Sequence, residues 1–311
     1  MDDFKIHILG CGSASPSERH LPACQAIEYR GRVMIIDCGE GAQLSIRRNH
    51  LKFTRITDIF ISHLHGDHLL GLPGLLSTLA LNDVGGKVTV HIFKEGAELI
   101  KHIISLVAHA LTYELIFDIL DPSGNQTLIN DNALTVTSIR LNHTIPCVGF
   151  RFDEKPKLRH INGEMARHFG VPHYMMNSLR EGHDYITADG EVIANSRLTT
   201  PPTPSYSYAY CSDTICDPGI VKNIHDVTLL YHEATYDAAS AKLAFSRGHS
   251  TSVQAARIAA QANVQGLVIG HFSSKYPSTD PLVTEARTIF PNTIAANEGM
   301  TLTLGQQLIL Q

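Results

Sequence analysis

The hexapeptide His63-Leu64-His65-Gly66-Asp67-His68 decides how this chain is read. It follows Asp58 to Ser62, a short apolar run of strand type, and precedes the leucine-rich stretch Leu69 to Leu81, whose Pro73 fits the first turns of a helix. Four side chains able to hold a cation therefore fall within six residues at a junction of strand and helix. His63 and His65 stand two apart and face one side of an extended segment, while Asp67 and His68 follow a turn at Gly66, where glycine permits a tight path. That spacing suits two adjacent cations better than one. A polar loop with incidental histidines would not account for such density after a buried strand.

Outward from this cluster, strand-like and helix-like runs alternate, which indicates an α/β layered fold. Strands are expected at Lys5 to Leu9, Arg32 to Asp37, Val88 to Phe93, Leu134 to Leu141, Val148 to Phe152, Tyr206 to Cys211, Val227 to Tyr231 and Gly266 to Ile269. Helices are expected at Ala42 to Arg48, Glu95 to Val107, Ser252 to Gln261 and Pro281 to Phe290. Three of these strands are followed by a further donor: His143 after Leu141, Asp213 after Cys211 and His271 after Ile269. Taken singly, each would be read as a capping or hydrogen-bonding residue. Together with the hexapeptide they supply enough ligands for two zinc ions: His63, His65 and His143 for one, Asp67, His68 and His271 for the other, with Asp213 bridging.

The composition narrows the rest. A chain of 311 residues with 43% hydrophobic content buries a sizeable core, and we expect one domain spanning 1–311 with an insertion at 153–204. In that insertion the periodicities become short, basic residues gather at the start, and Pro201-Pro202-Thr203-Pro204 closes it. The formal charge of −5 excludes a protein that grips nucleic acid through global positive charge, so any RNA contact is local. Six cysteines without a CxxC pair indicate neither a disulfide framework nor a thiolate zinc knuckle. No apolar run is long enough to span a bilayer, and Met1-Asp2-Asp3 opens with acids where a secretory signal carries bases, so a cytoplasmic protein with no membrane contact is expected.

The hexapeptide after a buried strand resembles the signature of the metallo-β-lactamase superfamily, and the chain is similar nearly end to end to ribonuclease Z, the tRNA 3′-endonuclease family. The stretches that carry the resemblance are Gly10 to Ser13, Asp37 to Gly41, Ser62 to His68 extended by Gly71-Leu72-Pro73-Gly74, His143, and Ser212-Asp213-Thr214. More specific to the family are His232-Glu233-Ala234-Thr235, Gly248-His249-Ser250-Thr251 and His271-Phe272-Ser273-Ser274-Lys275-Tyr276. The resemblance implies a four-layer αββα sandwich with an inserted flexible arm, two zinc ions per chain, and cleavage of the 3′ extension of precursor tRNA. It leaves a 3′-hydroxyl on the tRNA and a 5′-phosphate on the trailer. It further implies a homodimer, Asp67 as proton acceptor for the attacking water, and His249, oriented by Glu233, as proton donor to the departing oxygen. Asp37 is read as a support for the ligand loops.

Substrate contacts are expected at Arg19, Lys155, Lys157, Arg159 and Lys275. The family's Pro-x-Lys-x-Arg-Asn loop is here Pro16-Ser17-Glu18-Arg19-His20, keeping proline and arginine but not lysine or asparagine. At the arm, Gly170-Val171-Pro172 is followed by His173-Tyr174-Met175-Met176 where a second Gly-Pro would stand, and Lys275 replaces an arginine. Two other classes compete with this reading: a metallo-β-lactamase-fold hydrolase of small phosphodiesters or (thio)esters, and a non-catalytic RNA-binding relative. The second would have lost ligands, and all seven are present.

Overall fold

The computed structural model describes residues 4–15, 17–108 and 110–305, so Met1-Asp2-Asp3 and Pro16 of the sequence reading lie outside the described residues. The chain runs β1 (Lys5–Gly10), β2 (Cys24–Tyr29), β3 (Arg32–Ile36), α1 (Ala42–Arg48), β4 (Ile56–Phe60), α2 (Gly66–Leu69) and α3 (Leu72–Leu81). It continues through β5 (Lys87–Ile92), α4 (Lys94–Val107), β6 (Glu114–Ile119), β7 (Thr127–Asn130), β8 (Leu134–Leu141) and β9 (Cys147–Glu154). An insertion carries β10 (His160–Ile161), α5 (Gly163–His168), α6 (Met176–Arg180), β11 (Tyr185–Ile186), β12 (Val192–Ile193), α7 (Asn195–Leu198) and β13 (Thr199–Thr200). The last third comprises β14 (Ser207–Cys211), β15 (Leu229–Glu233), α8 (Ala241–Ser246), α9 (Ser252–Gln261), β16 (Gly266–Gly270), α10 (Asp280–Arg287), β17 (Thr293–Ala295) and β18 (Thr301–Thr303).

Two compact units result, 1–153 with 206–311, and 154–205. In the larger unit, strand periodicity explains the layers. Ile6 and Ile8, Met34 and Ile36, and Phe60 turn to one side, where they meet Val136, Phe150, Phe152 and Tyr208 of a second sheet. Their neighbours Val33, Ile35 and Ile59 turn to the other side and pack on Leu72, Leu76 and Ile100 of α3 and α4. Helices α9 and α10 cover the second sheet through small side chains such as Ala255, Ala259 and Ala286. The result is an αββα sandwich. Among the described residues the first sheet has the order β18-β1-β2-β3-β4-β5-β6 and the second β17-β16-β15-β14-β9-β8-β7.

Parallel pairing decides where the chemistry gathers. β3 pairs parallel to β4, and β14, β15 and β16 pair parallel to one another, so within each set the carboxyl ends share one edge. Beyond those ends stand Asp37, His63, Asp213 and His271, with Glu233 closing β15. The fourth strand was expected at Asp58 to Ser62 and is found at Ile56–Phe60. Its end is set by Asp37: the Ser62 amide donates to Asp37 Oδ1 at 2.8 Å, leaving the ladder early to hold the cluster. Helix α3 starts at Leu72, with Pro73 in its first turn, rather than at Leu69. Strand β2, Cys-Gln-Ala-Ile-Glu-Tyr, was not expected; its polar positions hide a strand with five of six residues buried.

The smaller unit, Glu154–Ser205, has its own core of Ala166, Val171, Leu179, Tyr185, Ile193 and Leu198. The Asn162 side chain caps α5 by accepting from the Glu164 and Met165 amides, at 3.2 and 3.1 Å. Buried Asn195 donates to Leu179 O and His183 O, both at 2.8 Å, and stitches α6 to α7.

Candidate metal centre

The donors converge as two groups that share one carboxylate. In the first, His63 Nε2 lies 3.1 Å from His65 Nδ1, and His143 Nε2 lies 3.3 Å from the same Nδ1. Asp213 Oδ2 approaches His63 Nε2 at 3.6 Å and His143 Nε2 at 3.8 Å. In the second group, Asp67 Oδ2 lies 3.3 Å from His68 Nε2 and 3.4 Å from His271 Nε2, and the two nitrogens are 3.4 Å apart. Asp213 Oδ1 faces this group, 3.2 Å from His271 Nε2 and 3.6 Å from His68 Nε2. Gly66, expected to supply a special backbone path, begins the helical turn of α2 instead, and a Cβ there would meet the mobile end of Leu70 at 3.0 Å. The turn of helix, rather than glycine freedom, brings Asp67 and His68 round to the edge.

These distances fit cations. A tetrahedral ion with bonds of about 2.0–2.1 Å holds its ligands about 3.3–3.4 Å apart, and the donors stand 3.1–3.8 Å apart in the first group and 3.2–3.6 Å in the second. Asp213 Oδ1 is buried without a hydrogen-bond partner among the described residues, a costly state that a cation relieves. The other nitrogen of four of the rings is engaged: His63 Nδ1 at Ser62 Oγ (3.0 Å), His68 Nδ1 at Asp37 (2.7 Å), His143 Nδ1 at Gly248 O (2.8 Å) and His271 Nδ1 at Thr235 Oγ1 (2.9 Å). Each Nδ1 donates, which fixes the tautomer whose Nε2 lone pair points into the group. Burial, reinforced by neighbouring imidazoles, holds His63 well below its ordinary pKa, and burial also lowers His143, so both stay neutral as ligation requires. At His68 burial is outweighed by Asp37, Asp213 and Asp67, which push it up; this surplus of negative charge calls for a cation.

Asp37 is the hub beneath. Fully buried and at φ +55°, it accepts from the Ser62 amide, Ser62 Oγ (2.9 Å), His68 Nδ1 and Tyr210 OH (2.7 Å). His271 is likewise in the left-handed region, at φ +60°, where histidine is tolerated and turns its ring back to the site.

Beside the donors, Glu233 is buried and holds His249. Its Oε1 accepts from His249 Nδ1 (3.0 Å) and the Ser250 amide (2.9 Å), and its Oε2 from the Thr235 amide (2.9 Å) and hydroxyl (2.8 Å). Burial pushes the Glu233 carboxyl up, but His249 and these donors bring it down to about 2. Burial alone would lower His249; Glu233 and Asp213 instead push it up to about 9, so its ring carries a proton at neutral pH. A Thr251 and Gln254 capping box starts α9 and fixes this loop. His249 remains on the wall of a cavity of about 440 Å3 that includes His65, Asp67, His143, Asp213 and His271.

Sequence reasoning missed several residues here. Thr235 Oγ1 links His271 to Glu233, Tyr210 supports Asp37, and Arg247 lines the cavity with one nitrogen 3.3 Å from Tyr236 OH. The first two were hidden inside buried strands or motifs. Arg247 could have been found as the cation just before Gly248-His249. Among the expected substrate contacts, Arg19 donates to Tyr276 O (2.9 Å) and Pro277 O (2.8 Å), and Lys275 Nζ bonds Ser240 Oγ (2.9 Å) over the Tyr276 ring. In the smaller unit Lys157 pairs with Glu154 (2.8 Å) and Arg159 Nε donates to Thr199 Oγ1 (2.7 Å); Lys155 lies on its first segment. The six cysteines are free thiols, five of them buried, and among the described residues no helix is long and apolar enough to cross a membrane.

Donors gathered in this way at the edge of an αββα sandwich define a class, the metal-dependent hydrolases of the metallo-β-lactamase fold. Ribonuclease Z of Parabacteroides distasonis is 48% identical over 307 residues, covering 98% of this chain and 100% of the relative. Ribonuclease Z of Bacteroides fragilis is 46% identical over 304 residues, again 98% and 100%. The chain belongs to the ribonuclease Z family. Its fold matches the crystal structure of human tRNase Z, short form, with a TM-score of 0.70 at 25% identity over 96% of this chain and 98% of that one. A family described as anti-Pycsar protein Apyc1 also matches residues 4–158.

Proposed function

We propose that this chain is an endoribonuclease that removes the 3′ extension of precursor tRNA, using two zinc ions per chain. One observation carries the reading: two donor groups share the Asp213 carboxylate in a chain whose full-length relatives are named ribonuclease Z. His63, His65 and His143 would hold one ion, Asp67, His68 and His271 the other, with Asp213 between them. The ions, when bound, acidify water and offset charge developing on phosphate oxygens.

The chain's own residues complete the reaction. Burial pushes the Asp67 carboxyl up, but His271 and His68 hold it far below the usual range, so it is ionised and able to accept a hydrogen bond from the attacking water; the family resemblance gives it the further role of taking that water's proton. As the water oxygen bonds to phosphorus, the bond to the tRNA O3′ breaks in line, and His249, its Nδ1 held by Glu233, gives that oxygen a proton from Nε2. A 3′-hydroxyl remains on the tRNA and a 5′-phosphate on the trailer. Arg19 and Lys275 suit the mature 3′ end, and the unit 154–205 with Lys155, Lys157 and Arg159 suits the tRNA body. A homodimer in the cytoplasm, where precursor tRNA is met, completes the proposal.

The test is to load the protein with zinc, incubate it with a 3′-extended precursor tRNA, and map the cut and its end groups. We expect about two zinc ions per chain by elemental analysis, one cut at the trailer junction with those ends, and loss of cleavage on chelation. Full activity in metal-free protein, or random cleavage, would overturn the reading.

A further inference from the structure

Past His143 the active cavity is followed by two more. One, of about 320 Å3, is walled by Arg140, Leu141, Asn142, His143, Thr144 and Pro146. The next, of about 350 Å3, is walled by Asn125, Arg140, Asn142, Asp217, Lys222 and Asn223. His143 borders the first two cavities and Arg140 with Asn142 the last two, so the three adjoin in turn along the residues at and just after the end of β8, and we call the outer two the groove.

Its polar heads are unengaged. Among the described residues the Arg140 guanidinium, the Asn142 amide and the Lys222 ammonium have no hydrogen-bond or ionic partner. Arg32, Arg55 and Arg151 of this unit are paired, with Asp131 (2.7 Å), Glu28 (3.4 Å) and Asp153 (2.9 Å), whereas among the described residues Arg48 and Arg257 share the free state of Arg140 but line neither cavity. The carboxylate in the wall, Asp217, is turned to accept the Gly219 amide at 2.8 Å. The backbone beneath is set: the Asn142 amide donates to Thr214 Oγ1 (3.1 Å), its carbonyl accepts from Ile215 N (2.9 Å), and Asn223 Nδ2 donates to Asn125 Oδ1 (2.6 Å). Gly124, at φ +72°, lies so close that a Cβ would sit 2.3 Å from Arg140 N.

We propose that this groove binds the phosphate backbone of single-stranded RNA on the trailer side of the cut. A guanidinium fork and an ammonium on a rigid wall pair with successive phosphates, and amide heads meet bases of any sequence, as a trailer of no fixed sequence requires. Each cavity has room for one nucleotide-sized group. The assignment to the trailer rests on the proposed function, in which Arg19 and Lys275 take the mature end; Lys275 directly follows Ser273 and Ser274, which line a different wall of the active cavity from His143.

The experiment compares wild type with Arg140→Gln/Lys222→Gln on precursors carrying trailers of one and of eight nucleotides, with a small chromogenic phosphodiester as internal standard. On the long trailer KM rises about tenfold, and the slope of log(1/KM) against log salt falls by about 1.4, two phosphates at about 0.7 each. Turnover of the one-nucleotide precursor and of the small diester is unchanged. Equal loss on both trailers, or no change on either, overturns the proposal. Should wild type fail to cut precursor tRNA at all, it is the proposed function that fails. The groove is then judged by anisotropy of a 5′-phosphorylated octaribonucleotide, and equal affinity for wild type and double variant sinks it.

Discussion

Two buried histidines of the larger unit sit among carboxylates and meet opposite fates. His91, at β5, has Asp118 on Nδ1 (2.8 Å), Asp58 on Nε2 (3.2 Å) and its ring stacked on Phe60 at 4.4 Å. His68 has Asp37 on Nδ1 (2.7 Å), but its Nε2 faces Asp67, Asp213 and a second imidazole nitrogen at once. One proton on each nitrogen satisfies every atom at His91. At His68 no arrangement of protons does, because two carboxylate oxygens and a second ring nitrogen crowd one nitrogen while Asp213 Oδ1 has no hydrogen-bond partner among the described residues. Cys11, His20 and Glu298 make the same point from the other side: their donor set looks metal-binding, yet Glu298 already accepts from His20 (3.0 Å) and from the Cys11 and Leu21 amides (3.2 and 2.9 Å). A metal centre is marked by what is left unsatisfied, not by residue types.

The largest effect is therefore expected at Asp213. Asp213→Asn keeps the volume but removes the shared negative charge, and should bring metal content down and turnover to the level of chelated protein, a loss beyond the about 10- to 100-fold that outer hydrogen-bond partners produce. His91→Gln should keep its metal and its turnover. Elemental analysis and precursor cleavage on both variants decide it, and equal metal loss would erase the distinction.

His249→Ala comes next, lowering turnover by about 100- to 10,000-fold while metal content stays at the wild-type level. Because Glu233 helps push His249 up to about 9, Glu233→Gln should let the proton go at lower pH and move the alkaline limb of the rate profile downward. A limb that stays in place would assign it to another group.

The same contrast explains what the sequence could tell. The hexapeptide, Asp213 and His271 were legible because they follow strands that pair parallel to a neighbour, and His143 because it follows the β-branched run of β8, which announces itself although it pairs antiparallel to β7. His91 could not be told from a ligand or a core residue, since its partners Asp58 and Asp118 come from β4 and β6 and only register brings them together. β6 was missed for the same reason as β2, because polar residues interrupt its pattern. In the unit 154–205 even elements were illegible: strands of two residues and helices of four to six carry too few periods to read. The Arg140 groove was invisible because it depends on which cations lack partners.

Gly248 tests how finely the metal groups are held. At φ +77°, it presents the carbonyl that fixes His143, and a Cβ would lie 2.6 Å from His143 Nδ1. Gly248→Ala should weaken metal binding by about 10- to 100-fold, read by competition with a chelating dye, without unfolding the chain. Unchanged affinity would mean that His143 does not need this carbonyl.

The smallest effect belongs to His91, and it concerns pH. Burial lowers its affinity for a proton, but hydrogen bonds to Asp118 and Asp58 prevail and raise its pKa above 6.5 in the folded state. The stabilisation is thus complete below the unfolded value near 6.5 and is lost as pH rises through the folded one. In zinc-loaded protein, where the ligand imidazoles are held neutral, urea midpoints compared between pH 6 and pH 9 should fall more for wild type than for His91→Gln. The difference should be about 1 kcal/mol, since Asp118 is 38% exposed and solvent screens its share. If both proteins lose stability in parallel, His91 carries no charge in the folded state, and the clamp is an ordinary neutral hydrogen-bonded pair.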